Sequence, residues 1–279
     1  MIWSAVAPAT ALGARRRRSA AFESGSWRCA LQTMRLLIAV YRLTRIYTAV
    51  VAGVVAYALG GEVEASIALA LLLAGAFAFN DVYDRDADAI NVPKRPIPSG
   101  VLSVRAALGI AIACAVGALA AAIATRSIRV IALTCGLIAL LFAYSLLLKR
   151  ITFVKNLVMA LVGASVPLFG NLQARELAIL IGLFILQKEI VADAYDRDGD
   201  ARVGLRTLPV IFGIRTTMIF IVAINVAFLV MSRGPLMAVG VINIAAAIAT
   251  AWLGEKAVPA MLTLQKGFLL AGLLFAWRT

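Results

Sequence analysis

The sequence predicts an all-α, multi-pass membrane protein with nine spanning helices. Three observations predict it. Of the 279 residues, 63% are hydrophobic and 15% charged, with a mean hydropathy of +0.96, whereas soluble domains run at about 45–50% apolar and about 25% charged. The apolar residues fall into nine runs, at 36–59, 65–82, 104–124, 128–148, 153–173, 176–194, 212–231, 235–253 and 258–277. Each approaches the roughly 20 residues a spanning helix needs. The aspartates, finally, gather where even-numbered runs end. A soluble enzyme, a disordered chain and a disulfide scaffold are excluded, and no room is left for a separate soluble domain.

Residues 1–33 differ from the rest. Arg15 to Arg18 stand in a row and a polar stretch follows. A secretory signal needs an apolar core after its basic residues. The segment therefore reads as a disordered tail, or as an upstream start with Met34 the true first residue. A polybasic lipid anchor is the functional alternative. Residues 34–279 read as one transmembrane domain. Its first run carries Arg42 and Arg45, charges that lipid does not tolerate and that should face a polar cavity. Gly60–Gly61, Ser99–Gly100, Gly170, Gly204, Gly234 and Gly254 punctuate the runs that follow.

With residue 34 placed inside, the loops after even-numbered runs hold twelve Lys and Arg, and the opposite side holds five. The positive-inside rule puts the N-terminus and the even-numbered exits in the cytoplasm, and nine spans put the C-terminus outside. The net charge of +13 fits loops facing anionic lipid. Its scatter between apolar runs argues against nucleic-acid binding, and no protein partner is evident. Cys29, Cys114 and Cys135 lack metal-ligand spacing and read as packing residues. Histidine is absent, which excludes histidine metal sites, histidine triads and an imidazole base.

All eight aspartates lie in two stretches: Asp81, Asp84, Asp86 and Asp88, then Asp193, Asp196, Asp198 and Asp200. Residues 83–89 read YDRDADA and residues 195–201 read YDRDGDA, identical at six of seven positions. This looks like an internal duplication placing two equivalent acid clusters in one bundle. On a helix, positions i, i+3 and i+7 share a face. Asp81, Asp84 and Asp88 fit, as do Asp193, Asp196 and Asp200, and Asn80 joins the first face. Each helix end is thus expected to aim three carboxylates at one point, with Asp86 and Asp198 directed elsewhere. At mid-bilayer the eight would cost about 20–28 kcal/mol, so they belong at the interface or in a wet cavity.

Carboxylate and carboxamide oxygens suit hard cations such as Mg²⁺, which commonly joins one or two carboxylates to substrate phosphates. Two facing clusters would hold a diphosphate between two metal ions. Lys94 and Arg95 follow the first cluster, and Arg202 and Arg206 the second. Arg grips phosphate oxygens with a planar fork, and Lys acts as a point charge. Lys149, Arg150 and Lys155 read first as positive-inside anchors; Lys149 is also a substrate-binding candidate.

These segments resemble a known family. NDVYDRDADAINVPKRPIPSG (80–100) is similar to the first signature of the UbiA-type intramembrane prenyltransferases. DAYDRDGDARVGLRTLP (193–209) is similar to their second, and YSLLLKR (144–150) to a third segment, with the resemblance covering about 36–279. It implies nine helices around a central cavity open to the bilayer. It implies metal and diphosphate binding by Asn80, Asp84 and Asp88, with a second metal on Asp193, Asp196 and Asp200. The implied reaction passes a prenyl group from its diphosphate to a lipid or aromatic acceptor. Tyr144 would stabilise the allylic cation, and Arg45 or Arg42 would hold an anionic group on the acceptor.

Residues 188–209 look most like the archaeal ether-lipid branch, whose acceptor is geranylgeranylglyceryl phosphate and whose donor carries geranylgeranyl. They depart from it at Lys188 and Tyr195. The alternative is an aromatic acceptor such as 4-hydroxybenzoate in quinone synthesis. Two rival classes fit less well. A cation-coupled transporter places its acids near the midplane. A CDP-alcohol phosphotransferase needs aspartates after Asp200, and none follows.

Overall fold

The computed structural model describes residues 9–202 and 204–276. The described chain is helical, in the order α1 (Ala9–Thr44), α2 (Ile46–Ala58), α3 (Val63–Tyr83), α4 (Arg85–Asn91), α5 (Val104–Ala124), α6 (Ile128–Leu146), α7 (Val154–Gly170), α8 (Arg175–Tyr195), α9 (Arg197–Arg202), α10 (Leu208–Met231), α11 (Pro235–Leu253) and α12 (Val258–Ala276). Single 3₁₀ turns, Leu148–Arg150 and Gly254–Ala257, precede α7 and α12. Ser103 caps α5 by accepting from the Ala106 N–H at 3.1 Å. Pro235 opens α11, where its missing N–H costs nothing.

Among the described residues, five helical stretches are long and apolar enough to cross a bilayer, and a sixth counts if Trp27–Thr44 and α2 form one bent span. One of the five, Pro235–Phe268, has 34 residues. A straight helix of that length would measure about 50 Å against a hydrocarbon core of about 30 Å. Gly254, at φ 71°, turns the backbone inside it and separates α11 from α12. Among the other expected spans, α7 has only 17 residues and α8 contains Arg175, Glu176, Lys188, Glu189 and Asp193. Length and composition therefore do not reproduce the full count of nine.

Nor is the first expected span, 36–59, a single helix. The chain bends by 54° between α1 and α2. The hinge is Arg45, at φ 45° and ψ 46°, a left-handed conformation unusual for a residue with a side chain. Residues 1–8 lie outside the described residues. On α1, Trp27 to Ile38 are exposed, and Ala39 and Leu43 are buried.

Two cores organise the bundle. Leu69, Leu72, Leu73, Leu137, Val158 and Phe169 centre the first, among α2, α3, α5, α6 and α7. Ile190, Met218, Ile221, Ala247, Val258 and Met261 centre the second, among α8, α10, α11 and α12. Glycine permits close helix approach within the first core. A Cβ on Gly170 of α7 would collide with the Ala56 carbonyl oxygen of α2.

The second half also contains a polar layer absent from the sequence reading. Gln187, Asn225, Asn243 and Gln265 come from its four helices, and each is 0% exposed. Each stands between residues of the second core and residues of a smaller apolar cluster around Phe184 and Phe228. The Asn225 side chain donates to Gln187 Oε1, and Gln265 Nε2 donates to Asn243 Oδ1 at 3.5 Å. Interhelical polar pairs in membranes contribute about 0.6 kcal/mol on average and up to about 1.7. Asn225→Leu should cost an amount in that range, because it leaves a buried carboxamide without its partner. Adding Gln187→Leu should restore most of the loss. Thermal melting in detergent checks this, and a double variant as unstable as the sum of the singles would contradict it.

Candidate active site

The two acid-rich motifs fold alike. α3 ends at Tyr83 and Asp84 follows at φ −87°, ψ 1°. α8 ends at Tyr195 and Asp196 follows at φ −90°, ψ 4°. Short helices, α4 and α9, start at the next residue in each case. The hydrogen-bond pattern repeats too. Asp84 N–H donates to the Asn80 carbonyl and Asp88 N–H to the Asp84 carbonyl, both at 2.8 Å. Asp196 N–H donates to Ala192 at 3.0 Å and Asp200 N–H to Asp196 at 2.9 Å. The repeat in sequence is thus a repeat in backbone conformation.

The helices pause at Asp84 and Asp196, and this changes what their spacing implied. Among the described residues no three acidic side chains converge on one point. The carboxylates are instead engaged in ion pairs with neighbouring cations. Carboxylates crowded on one helix end repel, and each lowers its energy by turning to a cation. Asp81, 4% exposed, lies 3.2 Å from Arg95 Nη1 and 3.6 Å from Arg45 Nη2. Asp88 takes the same Arg95 nitrogen at 2.6 Å. Asp84 pairs with Lys149 and accepts from Asn80 Nδ2 at 2.8 Å. Asp193 lies 2.7 Å from Lys155 and accepts from Asn156 Nδ2 at 2.9 Å.

Lys149 and Lys155 connect the two motifs. They flank the turn between α6 and α7, which begins with the 3₁₀ segment and passes through Phe153 at φ 65°. One end of this turn meets Asp84 and the other meets Asp193. The Thr152 hydroxyl donates to the Arg206 carbonyl and fastens the turn to the chain after α9. Lys149 also sits 4.6 Å from the Tyr83 ring centroid, where the ring's quadrupole favours a cation.

Beside the first motif lies a cavity of about 430 Å³, lined by Arg42, Arg45, Asp81, Val92, Lys94, Arg95 and Pro96. Four cations against one carboxylate give it a net positive lining, which suits an anion. The bend at Arg45 is part of its construction. It sets the guanidinium near Asp81 and 4.7 Å from the Phe77 ring centroid.

The remaining sequence candidates are less gathered. Lys94 is exposed on the cavity wall. The side chains of Arg202 and Arg206 are exposed. Tyr144 is half-buried against the first core. Asp86 pairs with the adjacent Arg85 and is exposed, and Asp198 is also exposed. Arg95 was expected on diphosphate but is engaged by Asp81 and Asp88. Sequence reasoning missed Asn156 and read Lys155 first as an anchor. Their signal was weak: a basic residue and a carboxamide at the start of an apolar run.

The donors around both motifs are carboxylate and carboxamide oxygens, which suit Mg²⁺. Outside the spans, partial burial raises the carboxyls of Asp196 and Asp200 above their ordinary value, against the opposing pull of Lys155. A bound divalent cation would oppose that rise. The residues present therefore fit such an ion.

Comparison with known proteins gives the same direction. The profile of the UbiA prenyltransferase family matches residues 46–259. The digeranylgeranylglyceryl phosphate synthase of Methanoculleus marisnigri is 38% identical over 196 residues, which is 64% of this chain and 70% of that protein. The fold is similar to a solved structure giving insight into digeranylgeranylglyceryl phosphate synthase in membranes. There the TM-score is 0.72 at 20% identity, covering 88% of this chain and 99% of the other. A UbiA homologue from Archaeoglobus fulgidus bound to DMAPP and Mg²⁺ superposes with a TM-score of 0.60 at 17% identity, covering 86% and 99%.

Proposed function

Because the chain belongs to the UbiA prenyltransferase family, we propose that it moves a geranylgeranyl group from its diphosphate to geranylgeranylglyceryl phosphate, with Mg²⁺. The observation that carries the proposal is the joining of both acid motifs to one basic turn, Asp84 to Lys149 and Asp193 to Lys155, beside a cavity rich in cations. The donor requires carboxylates for metal and cations for phosphate oxygens. The acceptor requires further cations for its own phosphate. The 38% identical relative bears the matching name.

Asn80, Asp81, Asp84 and Asp88 would hold one Mg²⁺, and Asp193, Asp196 and Asp200 a second. When bound, the metal neutralises charge on the diphosphate and eases its departure. The chain's own residues do the rest. Lys149, Lys94, Arg95, Arg202 and Arg206 receive diphosphate oxygens, and Lys149 exchanges Asp84 for phosphate as the donor binds. The allylic carbon–oxygen bond breaks and its electron pair leaves with diphosphate. The acceptor hydroxyl oxygen bonds to the allylic carbon, and its proton passes to the released diphosphate. Arg42 and Arg45 hold the acceptor phosphate, and Tyr144 faces the allylic cation with its ring.

The chain is an integral membrane protein. We place nine spans in it, taking α1 and α2 as one bent span and α11 and α12 as two. The bias of Lys and Arg puts the acid motifs and the N-terminus in the cytoplasm and the C-terminus outside. The matching folds of the two motifs support an internal duplication.

An acceptor competition tests the reaction. Purified protein receives labelled geranylgeranyl diphosphate and Mg²⁺, with geranylgeranylglyceryl phosphate and 4-hydroxybenzoate together. A lipid ether is the expected product, and chelation of divalent ions should abolish it. A prenylated aromatic would overturn the acceptor assignment and keep the chemistry. Product formation in chelator would overturn the metal's role.

A further inference from the structure

A second groove, of about 260 Å³, adjoins the cationic cavity and shares Arg42, Lys94 and Pro96 with it. Its α1 wall consists of Arg35, Ile38, Ala39 and Arg42, the i, i+3, i+4, i+7 spacing of one helical face. Lys94 and Ser99 face them from the segment after α4. Arg45, Arg95, Lys149 and Lys155 of the inner site each stand within 4.0 Å of a carboxylate. Among the described residues none of Arg35, Arg42 and Lys94 does. The groove thus combines three cations without a carboxylate partner, one hydroxyl and an aliphatic floor.

That combination suits a phosphate carrying an alkyl chain. Guanidinium groups fork onto phosphate oxygens. Basic pockets between membrane helices take lipid head groups. We propose that this groove is a second anion site, which captures the phosphate of a glycerol phospholipid from the bilayer before the inner cavity. Arg42 and Lys94 are common to both sites, so a phosphate can pass inward without leaving positive charge. The ligand chemistry is a lipid glycerol phosphate, either the acceptor or a bilayer lipid. The acceptor arm rests on the function proposed above; the bilayer arm does not.

The test uses full-length protein and Arg35→Gln, with Arg35→Lys as the conservative variant and Arg129→Gln as a control away from the groove. Two quantities are measured: KM for geranylgeranylglyceryl phosphate and for geranylgeranyl diphosphate, and retention of phosphatidylglycerol from nanodiscs by native mass spectrometry. Losing one charge-assisted contact should raise the acceptor KM about tenfold or more. The KM of the diphosphate should stay fixed, and Arg35→Lys should recover part of the effect. That result assigns the acceptor's phosphate to the groove. Loss of phosphatidylglycerol with an unchanged acceptor KM assigns a bilayer lipid to the same site. If Arg35→Gln changes neither quantity, or Arg129→Gln changes them equally, the proposal is overturned. Should the chain prenylate an aromatic instead, the proposed function fails while lipid retention still decides the groove.

Discussion

Asp84→Ala and Asp196→Ala should each reduce prenyl transfer by about 100- to 1,000-fold, the range seen when one preorganised electrostatic contact to a developing charge is removed. Both aspartates sit at the same structural position, the residue between a long helix and a short one. Neither is needed to pack the bundle. Asp84 is 28% exposed at its side chain, Asp196 is exposed, and both cores lie elsewhere. The two variants should therefore melt close to the unmodified protein while losing activity. Turnover in detergent, read beside a melting curve, checks this. Full activity in both would refute a role for the paired motifs.

Arg95→Leu should damage folding as well as activity. One guanidinium nitrogen serves Asp81 at 3.2 Å and Asp88 at 2.6 Å, and both carboxylates are buried. Removing one member of a buried ion pair costs about 3–5 kcal/mol, because the other charge stays behind. Arg95 retains 29% side-chain exposure, which places the cost near the lower end, about 3 kcal/mol. The triple variant Arg95→Leu, Asp81→Asn, Asp88→Asn should regain stability, since no buried charge then lacks a partner, and should remain inactive. Denaturation of the three proteins in detergent, with turnover on the same samples, distinguishes these effects. An Arg95→Leu protein as stable as its parent would contradict the role given to this arginine.

The apolar runs were legible because hydropathy and helix length are local properties. The runs at 104–124 and 235–253 coincide with α5 and α11. The paired motifs were legible because a repeat in sequence needs no structure to be seen. The bend at Arg45 was hidden, since a left-handed arginine carries no glycine signal. The partners of the aspartates were hidden too. Lys149 meets Asp84 across 65 residues, and no spacing rule reaches that far. Helical periodicity marked the shared face of the acids, but not the pause at Asp84 and Asp196 or the cations nearby. Gln187 and Asn225, and Asn243 and Gln265, are separated in sequence and pair only when their helices pack. Single carboxamides in apolar runs were the available sign.

The central claim is that the two motifs together hold a metal–diphosphate complex. Counting Mn²⁺ by electron paramagnetic resonance, with a non-reactive thiolo analogue of geranylgeranyl diphosphate, tests it most directly. The account predicts two ions per chain with the analogue present, and one in either Asp84→Ala or Asp196→Ala. Two ions retained in both variants, or no Mn²⁺ bound with the analogue, would contradict it.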